Sequence, residues 1–327
     1  MRVLRDAFGR TLSYLRLSVT ERCNFRCVYC LPSGGREIGG APLSVEEIGR
    51  LVSGFARLGF EKVRVTGGEP TTRRDVCQIV ERVAAVPGVV KVGLTTNGYR
   101  LAELARSLRA AGLTSINVSL DSLDRQRFAR ITGRDQLDAV VRGVEAALDA
   151  GIPAVKVNAV LMRSLQAYEI DRFLAWTELR PVTIRFIELM ETGDNRDFFL
   201  EHHLGAEALG RELGERGWTA RPRLAGDGPA VVYGRPGHAG QVGIIAPYSA
   251  GFCETCNRLR VSATGELRLC LFGRRRVPLR PYLQEDSDAC RLKLERAVRQ
   301  AVGEKPRSHA LEAGRFGATA SLAAIGG

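Results

Sequence analysis

Six of the eight cysteines in this 327-residue chain lie in two tight groups, and each group has the composition of a metal site. Cys23, Cys27 and Cys30 place three thiols within eight residues. Three soft thiolates in one loop can hold a zinc ion or three irons of a 4Fe–4S cluster. A structural zinc ion needs a fourth ligand nearby, and the surrounding segment offers none, because the nearest histidines are far along the chain. The C-x3-C-x2-C spacing therefore favours a cluster with one open iron.

The second group has three cysteines in C-x2-C-x13-C spacing, namely Cys253, Cys256 and Cys270. On spacing alone, a zinc ribbon that lacks one ligand stays open as an alternative. The flanking residues favour a cluster: Arg258 and Arg260 come just after the second thiol. Cations beside an open coordination site suit a ligand with an anionic tail. Cys77 and Cys290 stand alone, and we expect them to be ordinary small side chains.

Short β-branched runs alternate with amphipathic helical stretches through the first two-thirds of the chain. Six strands are predicted, at residues 15–19, 62–66, 91–95, 115–120, 154–160 and 183–187. Ser44 and Glu47 form a capping box that opens a helix ending near Gly59. Further helices are predicted over 101–111 and 137–150. Repeated strand–helix units imply a parallel sheet, either doubly wound or closed as a barrel.

Polar and cationic residues recur at alternate positions of these strands, although buried parallel strands are usually continuous apolar runs. Five strands place such residues on one shared side: Arg16 and Ser18; Lys62, Arg64 and Thr66; Asn117 and Ser119; Lys156 and Asn158; Thr183 and Arg185. A dry core does not tolerate several unpaired cations, whereas a wet lumen that holds an anionic ligand does. Edge strands facing solvent would account for only one or two of the five. The pattern predicts a cationic lumen.

The net charge of +12 suits a polyanionic partner, whether nucleic acid, an anionic surface or a small substrate, or reflects solvated arginines. No apolar run approaches the length of a membrane span, and charges interrupt the N-terminus where a signal peptide needs an apolar core. We therefore expect a cytoplasmic protein without disulfides.

Residues 221–240 are rich in glycine and proline. We accordingly divide the chain into residues 1–220 and a smaller C-terminal extension, residues 221–327.

The first cysteine group, together with the sequence Gly-Gly-Glu-Pro at 67–70, resembles the radical S-adenosylmethionine superfamily. The resemblance implies an α/β fold, a partial (β/α)6 TIM-type barrel whose C-terminal extension carries a second iron–sulfur cluster. It implies that Cys23, Cys27 and Cys30 ligate the first 4Fe–4S cluster. It also implies that S-adenosylmethionine is bound by Tyr29, Gly68, Glu69, Ser119 and Met190. Most of these residues follow predicted strands, where barrel sites form.

Over nearly its whole length the sequence is similar to the GTP 3′,8-cyclases of molybdenum cofactor biosynthesis. This resemblance implies a second 4Fe–4S cluster on Cys253, Cys256 and Cys270, which would hold guanine through its open iron. It implies that GTP is bound by Arg16, Arg64, Thr95, Lys156, Arg258, Leu259 and Arg260. Catalytic roles would fall to Arg185 and to the terminal Gly326 and Gly327. The stretch 321–325 departs from the family, because relatives usually carry a methionine or other bulky residue there.

In that family, a 5′-deoxyadenosyl radical from S-adenosylmethionine removes the 3′ hydrogen of GTP, and C3′ then attacks C8. We accordingly expect GTP as substrate, a reductant protein such as flavodoxin or ferredoxin, and product transfer to a cyclic pyranopterin monophosphate synthase. We expect no nucleic acid, no membrane, and a monomer or homodimer. Two alternatives stay open. A radical peptide-modifying maturase usually carries more C-terminal cysteines, and a nucleic-acid-binding metal scaffold would not need the loop at 67–70.

Overall fold

All twelve strands in the described part of the chain belong to one sheet. The structure is a computed structural model, and it describes residues 3–31, 40–164, 167–223, 228–309 and 311. The predicted tail residues Gly326 and Gly327, and the stretch 321–325, lie outside the described residues. The strands are β1 (Tyr14–Ser18), β2 (Lys62–Thr66), β3 (Lys91–Thr96), β4 (Ser115–Ser119), β5 (Ala154–Leu161), β6 (Val182–Glu188), β7 (Thr219–Ala220), β8 (Val231–Gly234), β9 (Gln241–Ile245), β10 (Arg258–Val261), β11 (Glu266–Arg268) and β12 (Val277–Pro278).

Helices follow most of the parallel strands. In the described residues they are α1 (Val45–Arg57), α2 (Val76–Ala84), α3 (Leu101–Ala110), α4 (Arg125–Thr132), α5 (Leu137–Asp149), α6 (Ala167–Leu179), α7 (Arg196–His202), α8 (Glu207–Glu215) and α9 (Asp288–Val302). The predicted capping box is confirmed: the backbone N–H of Glu47 donates to Ser44 Oγ at 3.2 Å, and Ser44 N–H donates to Glu47 Oε2 at 2.8 Å. These two bonds satisfy helix-start donors that have no partner within the helix.

The first six strands lie side by side in chain order, and each pairs in parallel with the next. β10 pairs in parallel with β1, and β9 pairs in parallel with β6, so the parallel run continues at both ends. Antiparallel strands β11 and β12 then extend one edge, and β8 and β7 extend the other. The predicted partial TIM-type barrel with a C-terminal extension is confirmed.

The apolar residues that alternate with the polar ones pack beneath the helices, as the strand pattern predicts. Leu17, Val63, Val65, Val157 and Phe186 are completely buried. Each such side chain contributes roughly 1.5–3 kcal/mol relative to an exposed one. One face of the sheet is therefore fixed by helix packing, which leaves the opposite face of the same strands to carry the site.

The extension joins the sheet at two places, because β9 and β10 both come from beyond residue 220 and border opposite ends of the parallel run. The predicted division of the chain at residue 220 stays a prediction. Within the described residues, no helix combines the length and apolar character needed to span a membrane.

Candidate active site

The polar face of the parallel strands lines a cavity that opens to solvent and measures about 1170 Å³ with its open part included. Cations from five strands contribute to the wall: Arg16, Lys62, Arg64, Lys156, Arg185, Arg258 and Arg260. Among the described residues that line the cavity there is no Asp or Glu. The predicted cationic lumen is confirmed.

Some buried polar atoms in this wall have no hydrogen-bond partner within the described residues. Among them are the hydroxyl Oγ1 of Thr95 and the side-chain amide Oδ1 of Asn117. Leaving a buried polar atom without a partner costs about 1–3 kcal/mol. Arg185 is by contrast fixed in place, since its Nε and Nη2 donate to Asn158 Oδ1 at 2.9 and 2.6 Å. The wall therefore has the chemistry of a site for a polar ligand.

Burial lowers the pKa values of several cations in the cavity, and repulsion from neighbouring cations lowers them further. The pKa of Lys156 falls to about 8, first through burial and then through the charges of Arg185 and Arg64. The pKa of Arg185 falls to about 9 for the same two reasons. Burial is also the main cause that brings the pKa of Arg16 to about 10. A bound anion opposes these shifts because it stabilises the charged forms. The cavity thus favours a ligand with several negative charges.

The guanidinium of Arg64 is held in one orientation by three hydrogen bonds. Its Nε donates to Tyr14 Oη at 2.7 Å, its Nη1 to the carbonyl of Leu94 at 3.0 Å, and its Nη2 to Ser115 Oγ at 3.1 Å. Gly93 leaves the space for the guanidinium, because a Cβ at that position would lie 2.7 Å from Arg64 Cζ. Within the part of the chain that the structure describes, these bonds use three of the five N–H donors of the guanidinium.

Tyr14 is an acidic group among these cations. Burial raises the pKa of its phenol, but the charges of Arg64, Arg16 and Lys62 outweigh burial and bring the pKa to about 7. The ammonium of Lys62 lies 4.5 Å from the centre of the Tyr14 ring. Tyr14 was not among the predicted site residues, although its position two residues before Arg16 puts it on the same face of β1.

The loop of the first cysteine group follows β1 and is tied to the end of α4. The backbone N–H of Arg26 donates to the carbonyl of Thr132 at 2.9 Å, and that of Val28 donates to the carbonyl of Ile131 at 3.0 Å. These bonds hold the loop against the carboxyl ends of the strands, where active sites of TIM-type barrels form.

The three thiols of this loop lie close to one another. Burial raises the pKa of Cys27 well above its ordinary value, and the charges of Asp121, Cys30 and Cys23 raise it further. Among the described residues, no three His, Cys, Asp or Glu side chains converge as ligands of a single metal ion do. A 4Fe–4S cluster does not require that arrangement, because each cysteine binds a different iron. The thiol set fits such a cluster.

The loop at 67–70 passes very close to the first cysteine loop, which explains its two glycines. A Cβ on Gly67 would overlap the carbonyl oxygen of Thr20, and one on Gly68 would overlap that of Arg22. The backbone N–H of Gly68 donates to the Thr20 carbonyl at 2.8 Å. Glycine is required because the two backbones approach each other directly.

Glu69 binds this loop to the end of β3 through a buried carboxylate. Its Oε1 accepts from Thr71 Oγ1 at 2.6 Å and from Thr96 Oγ1 at 2.7 Å, and its Oε2 accepts from the Asn97 N–H at 2.5 Å. The side-chain amide of Asn97 in turn donates to Asn24 Oδ1 in the cysteine loop at 2.7 Å. The carboxylate therefore fixes the relative position of two loops, although burial raises its pKa.

Tyr29 joins the cysteine loop to the ends of β4 and β6. Its hydroxyl donates to Asp121 Oδ2 at 2.8 Å, and Asp121 Oδ1 accepts from the Val160 N–H at 2.8 Å. Asn195 donates to the carbonyls of Tyr29 and Met190 at 3.1 and 3.0 Å. Burial raises the pKa of Asp121 to about 6. Asn195, which the motifs did not reveal, thus links the backbones of Tyr29 and Met190.

All three cysteines of the second group help to line the cavity: Cys253, Cys256 and Cys270. Burial raises the pKa of the Cys256 thiol, but the charges of Arg258 and Lys305 lower it to about 7. The guanidinium of Arg258 lies 5.7 Å from the centre of the Phe252 ring. The neighbouring cations therefore favour the thiolate form of Cys256, which is the form that binds metal.

The comparisons with known proteins agree with this geometry. Residues 17–176 match the radical SAM superfamily, and residues 182–311 match the model described as Molybdenum Cofactor Synthesis C. Two proteins named GTP 3′,8-cyclase, from Stenotrophomonas maltophilia strains K279a and R551-3, are 52% and 51% identical over 100% of both chains. The chain belongs to the GTP 3′,8-cyclase family. Like other members, it uses S-adenosylmethionine and two 4Fe–4S clusters.

The fold is also found in solved structures of low sequence identity. Streptococcus suis SuiB bound to S-adenosylmethionine aligns with a TM-score of 0.59 at 14% identity, covering 89% of this chain and 69% of that chain. A second structure of SuiB aligns with a TM-score of 0.58 at 12% identity, covering 94% and 69%. At this low sequence identity, the two matches show a shared fold alone.

The residues predicted from the family fall into two sets in the structure. The cavity is lined by Arg16, Arg64, Thr95, Lys156, Arg185, Met190, Arg258, Arg260 and the second cysteine group. Around the strand ends lie the first cysteine group, Tyr29, Gly68, Glu69 and Ser119. Leu259 differs from the rest, because its side chain is completely buried in the core and is not among the lining residues. Any contact from Leu259 to GTP would come from its backbone.

Lys62 and Asn158 also line the cavity; they were predicted on the polar strand face but were given no ligand-binding role. Other lining residues were not predicted, among them Tyr14, Phe252, Phe272, Lys305 and His309. For Tyr14 the available signal was the alternation of side chains along a strand, because it shares a face of β1 with Arg16. Lys305 and His309 follow α9, and no motif in the sequence connects them to a cysteine group more than thirty residues earlier.

Proposed function

We propose that this member of the family is a GTP 3′,8-cyclase, which converts GTP to (8S)-3′,8-cyclo-7,8-dihydroguanosine 5′-triphosphate, the first step of molybdenum cofactor biosynthesis. The observation that carries the proposal is the cavity, in which a cationic wall without a described carboxylate adjoins the second cysteine group. A triphosphate supplies the negative charge that this wall favours, and a guanine supplies a nitrogen or oxygen ligand for an open iron.

The cofactors would be held by the two cysteine groups. We assign the first cluster to Cys23, Cys27 and Cys30, and the second to Cys253, Cys256 and Cys270. When bound, the first cluster and S-adenosylmethionine would supply radical chemistry: one electron from the reductant would cleave S-adenosylmethionine, the 3′ hydrogen of GTP would pass to 5′-deoxyadenosine, and one further electron and one proton would complete the product in which C3′ is bonded to C8. The protein itself orients the two substrates and excludes water.

S-adenosylmethionine would lie at the strand ends above the first cysteine loop, in contact with Tyr29, Gly68, Glu69, Ser119 and Met190. The four donors that surround the Glu69 carboxylate hold the loop at 67–70 rigid, so its backbone can present fixed hydrogen-bonding groups to the methionine moiety. The bond from Tyr29 to Asp121 fixes the tyrosine ring, so the ring can serve as a flat surface for adenine.

GTP would be oriented by charge along the cavity wall. We assign its phosphates and base to Arg16, Arg64, Thr95, Lys156, Arg258, Leu259 and Arg260. Thr95 is suited to this role because its buried hydroxyl has no hydrogen-bond partner among the described residues. Arg64 is suited because Tyr14, Leu94 and Ser115 fix its guanidinium before the substrate arrives. Preorganised charge of this kind costs little to order on binding.

Arg185, Gly326 and Gly327 would complete the catalytic centre. Arg185 is held by Asn158 and places a fixed positive charge in the cavity. We propose that the glycine tail enters the cavity beside the substrate, where a side chain would not fit.

The reductant would be a flavodoxin or ferredoxin, and the product would pass to a cyclic pyranopterin monophosphate synthase. We further propose a cytoplasmic location, a monomer or homodimer, and a barrel domain that ends near residue 220.

Isotope transfer tests this proposal. The enzyme is incubated anaerobically with reductant, S-adenosylmethionine and GTP deuterated at C3′, and the products are measured by mass spectrometry. We expect deuterium in 5′-deoxyadenosine and a cyclised product. GTP deuterated at C8 is the matched control, and its deuterium should stay in the product. If 5′-deoxyadenosine forms in amounts equal to the GTP consumed but carries no deuterium from C3′, the proposed reaction is wrong.

A further inference from the structure

Residues 305–309, which we call the strap, follow α9 and cross the second cysteine group. The ammonium of Lys305 donates to the carbonyl of Leu269, the residue before Cys270. The backbone amide of His309 hydrogen-bonds the Cys253 thiol. The strap therefore contacts Cys253 directly and also contacts Leu269, the residue before Cys270.

Arg10 ties the strap to the second cysteine loop from the other end of the chain. Its Nη1 donates to the carbonyl of Cys253 at 3.0 Å and to that of Arg307 at 2.7 Å, and its Nη2 donates to the carbonyl of Pro306 at 2.7 Å. Asp6 holds the guanidinium in this position, because its Oδ2 accepts from Arg10 Nε at 2.6 Å. One buried side chain thus joins the N-terminal turn, the cysteine loop and the strap.

Lys305 also brings a positive charge to the second cysteine group. Its side chain is nearly inaccessible, with 4% of the residue exposed. The charges of Cys256 and Cys270 favour the ammonium form, in opposition to burial. A buried ammonium is costly unless anionic groups accompany it, so the thiolates and the lysine stabilise each other. Removing either partner leaves the other charge without compensation.

We propose that Arg10 and Lys305 are positioning residues for the second cluster: they fasten the strap over the second cysteine group, and Lys305 stabilises the cluster's negative charge. This inference rests on the proposed function, because it assumes that the group holds a cluster. A positive charge beside a cluster stabilises its reduced form and raises its reduction potential.

The test compares anaerobically reconstituted holoenzymes carrying Arg10→Gln, Lys305→Met and Lys305→Arg. Wild type should hold about eight irons per chain. We expect Arg10→Gln to lose the second cluster selectively, so that iron falls toward about four per chain while cleavage of S-adenosylmethionine persists. We expect Lys305→Met to lower the reduction potential of the second cluster, followed by electron paramagnetic resonance, and to speed amide hydrogen exchange at residues 307–309. Lys305→Arg should restore the potential.

Matched controls are Arg5→Gln and Lys293→Met, because both residues are exposed and lie outside the strap contacts. Neither should change iron content or potential. The inference is overturned if Arg10→Gln and Lys305→Met both keep wild-type iron content, potential and exchange, or if they lose both clusters together. A wild-type protein that binds only one cluster would instead overturn the proposed function, so the two failures can be distinguished.

Discussion

The charge of Lys156 should destabilise the ligand-free fold and stabilise the complex with a bound anion. Burial and the neighbouring cations lower its pKa from 10.5 to about 8. At 1.36 kcal/mol per pKa unit, the protonated lysine costs the ligand-free fold on the order of 3 kcal/mol. Lys156→Met removes this cost. We therefore expect the variant to be more stable than wild type without GTP, by about 1–3 kcal/mol.

The same substitution should weaken GTP binding. Loss of a charge-assisted hydrogen bond costs about 1.5–3 kcal/mol, which is roughly a 10- to 100-fold increase in Kd. The assay is anaerobic thermal unfolding of the holoenzyme with and without GTP. Ligand-free Lys156→Met should unfold at a higher temperature than wild type, and GTP should raise that temperature less than it does in wild type. Lys91→Met is the control, because Lys91 is exposed at the start of β3.

The pH dependence follows from the direction of the shift. Because the pKa of Lys156 is lowered in the folded state, the unfolded chain binds more protons between pH 8 and pH 10.5. The destabilisation is complete below pH 8 and disappears as the pH rises toward 10.5, so the stability advantage of Lys156→Met should shrink over that range. A variant that is less stable than wild type at pH 7 and binds GTP equally well would refute this reasoning.

Three further predictions concern other parts of the site. Cys27→Ala should abolish formation of 5′-deoxyadenosine, measured by chromatography, because one of three cluster ligands is lost; normal formation would contradict the assignment. Tyr14→Phe should reduce the proton uptake that accompanies GTP binding near pH 7, measured by calorimetry in two buffers, because the pKa of Tyr14 is about 7 in the cationic cavity and rises when phosphates neutralise the cations. Equal uptake in wild type and variant would show that Tyr14 does not titrate on binding. Deleting Gly326 and Gly327 should suppress cyclisation while both clusters and GTP binding stay nearly intact; an unchanged product yield would mean that the tail has no catalytic role.

The strands of the barrel could be predicted closely because their signal is local. Apolar residues alternate with polar ones in β2, β4, β5 and β6, and every second side chain of a strand faces the same side. The cationic lumen followed from that alternation, and the structure confirms it at Arg16, Lys156 and Arg185. The start of α1 could be predicted equally well, because its capping box involves Ser44 and Glu47, which are only three positions apart.

The contributions of the C-terminal extension could not be predicted in the same way. β9 and β10 are four or five residues long and pair with β6 and β1, which are distant in sequence. Their length does not set them apart, because β1, β2 and β4 are also five residues long. What the sequence does not show is their pairing, because the partners of β9 and β10 are set by tertiary packing. The role of Lys305 was likewise hidden, because its contact with Leu269 depends on where α9 ends in space. The motifs identify the ligands, whereas the residues that hold them in place are scattered along the chain.

If the cavity selects GTP for radical cyclisation, other nucleoside triphosphates should not be cyclised. The reconstituted enzyme is incubated anaerobically with dithionite, S-adenosylmethionine and each of GTP, ATP, CTP and UTP in turn, and 5′-deoxyadenosine and cyclised nucleotide are quantified together. The account predicts that GTP alone yields a cyclised product, in step with 5′-deoxyadenosine. If 5′-deoxyadenosine forms with GTP present but no cyclised nucleotide accompanies it, or if another nucleotide is cyclised equally well, the account is contradicted.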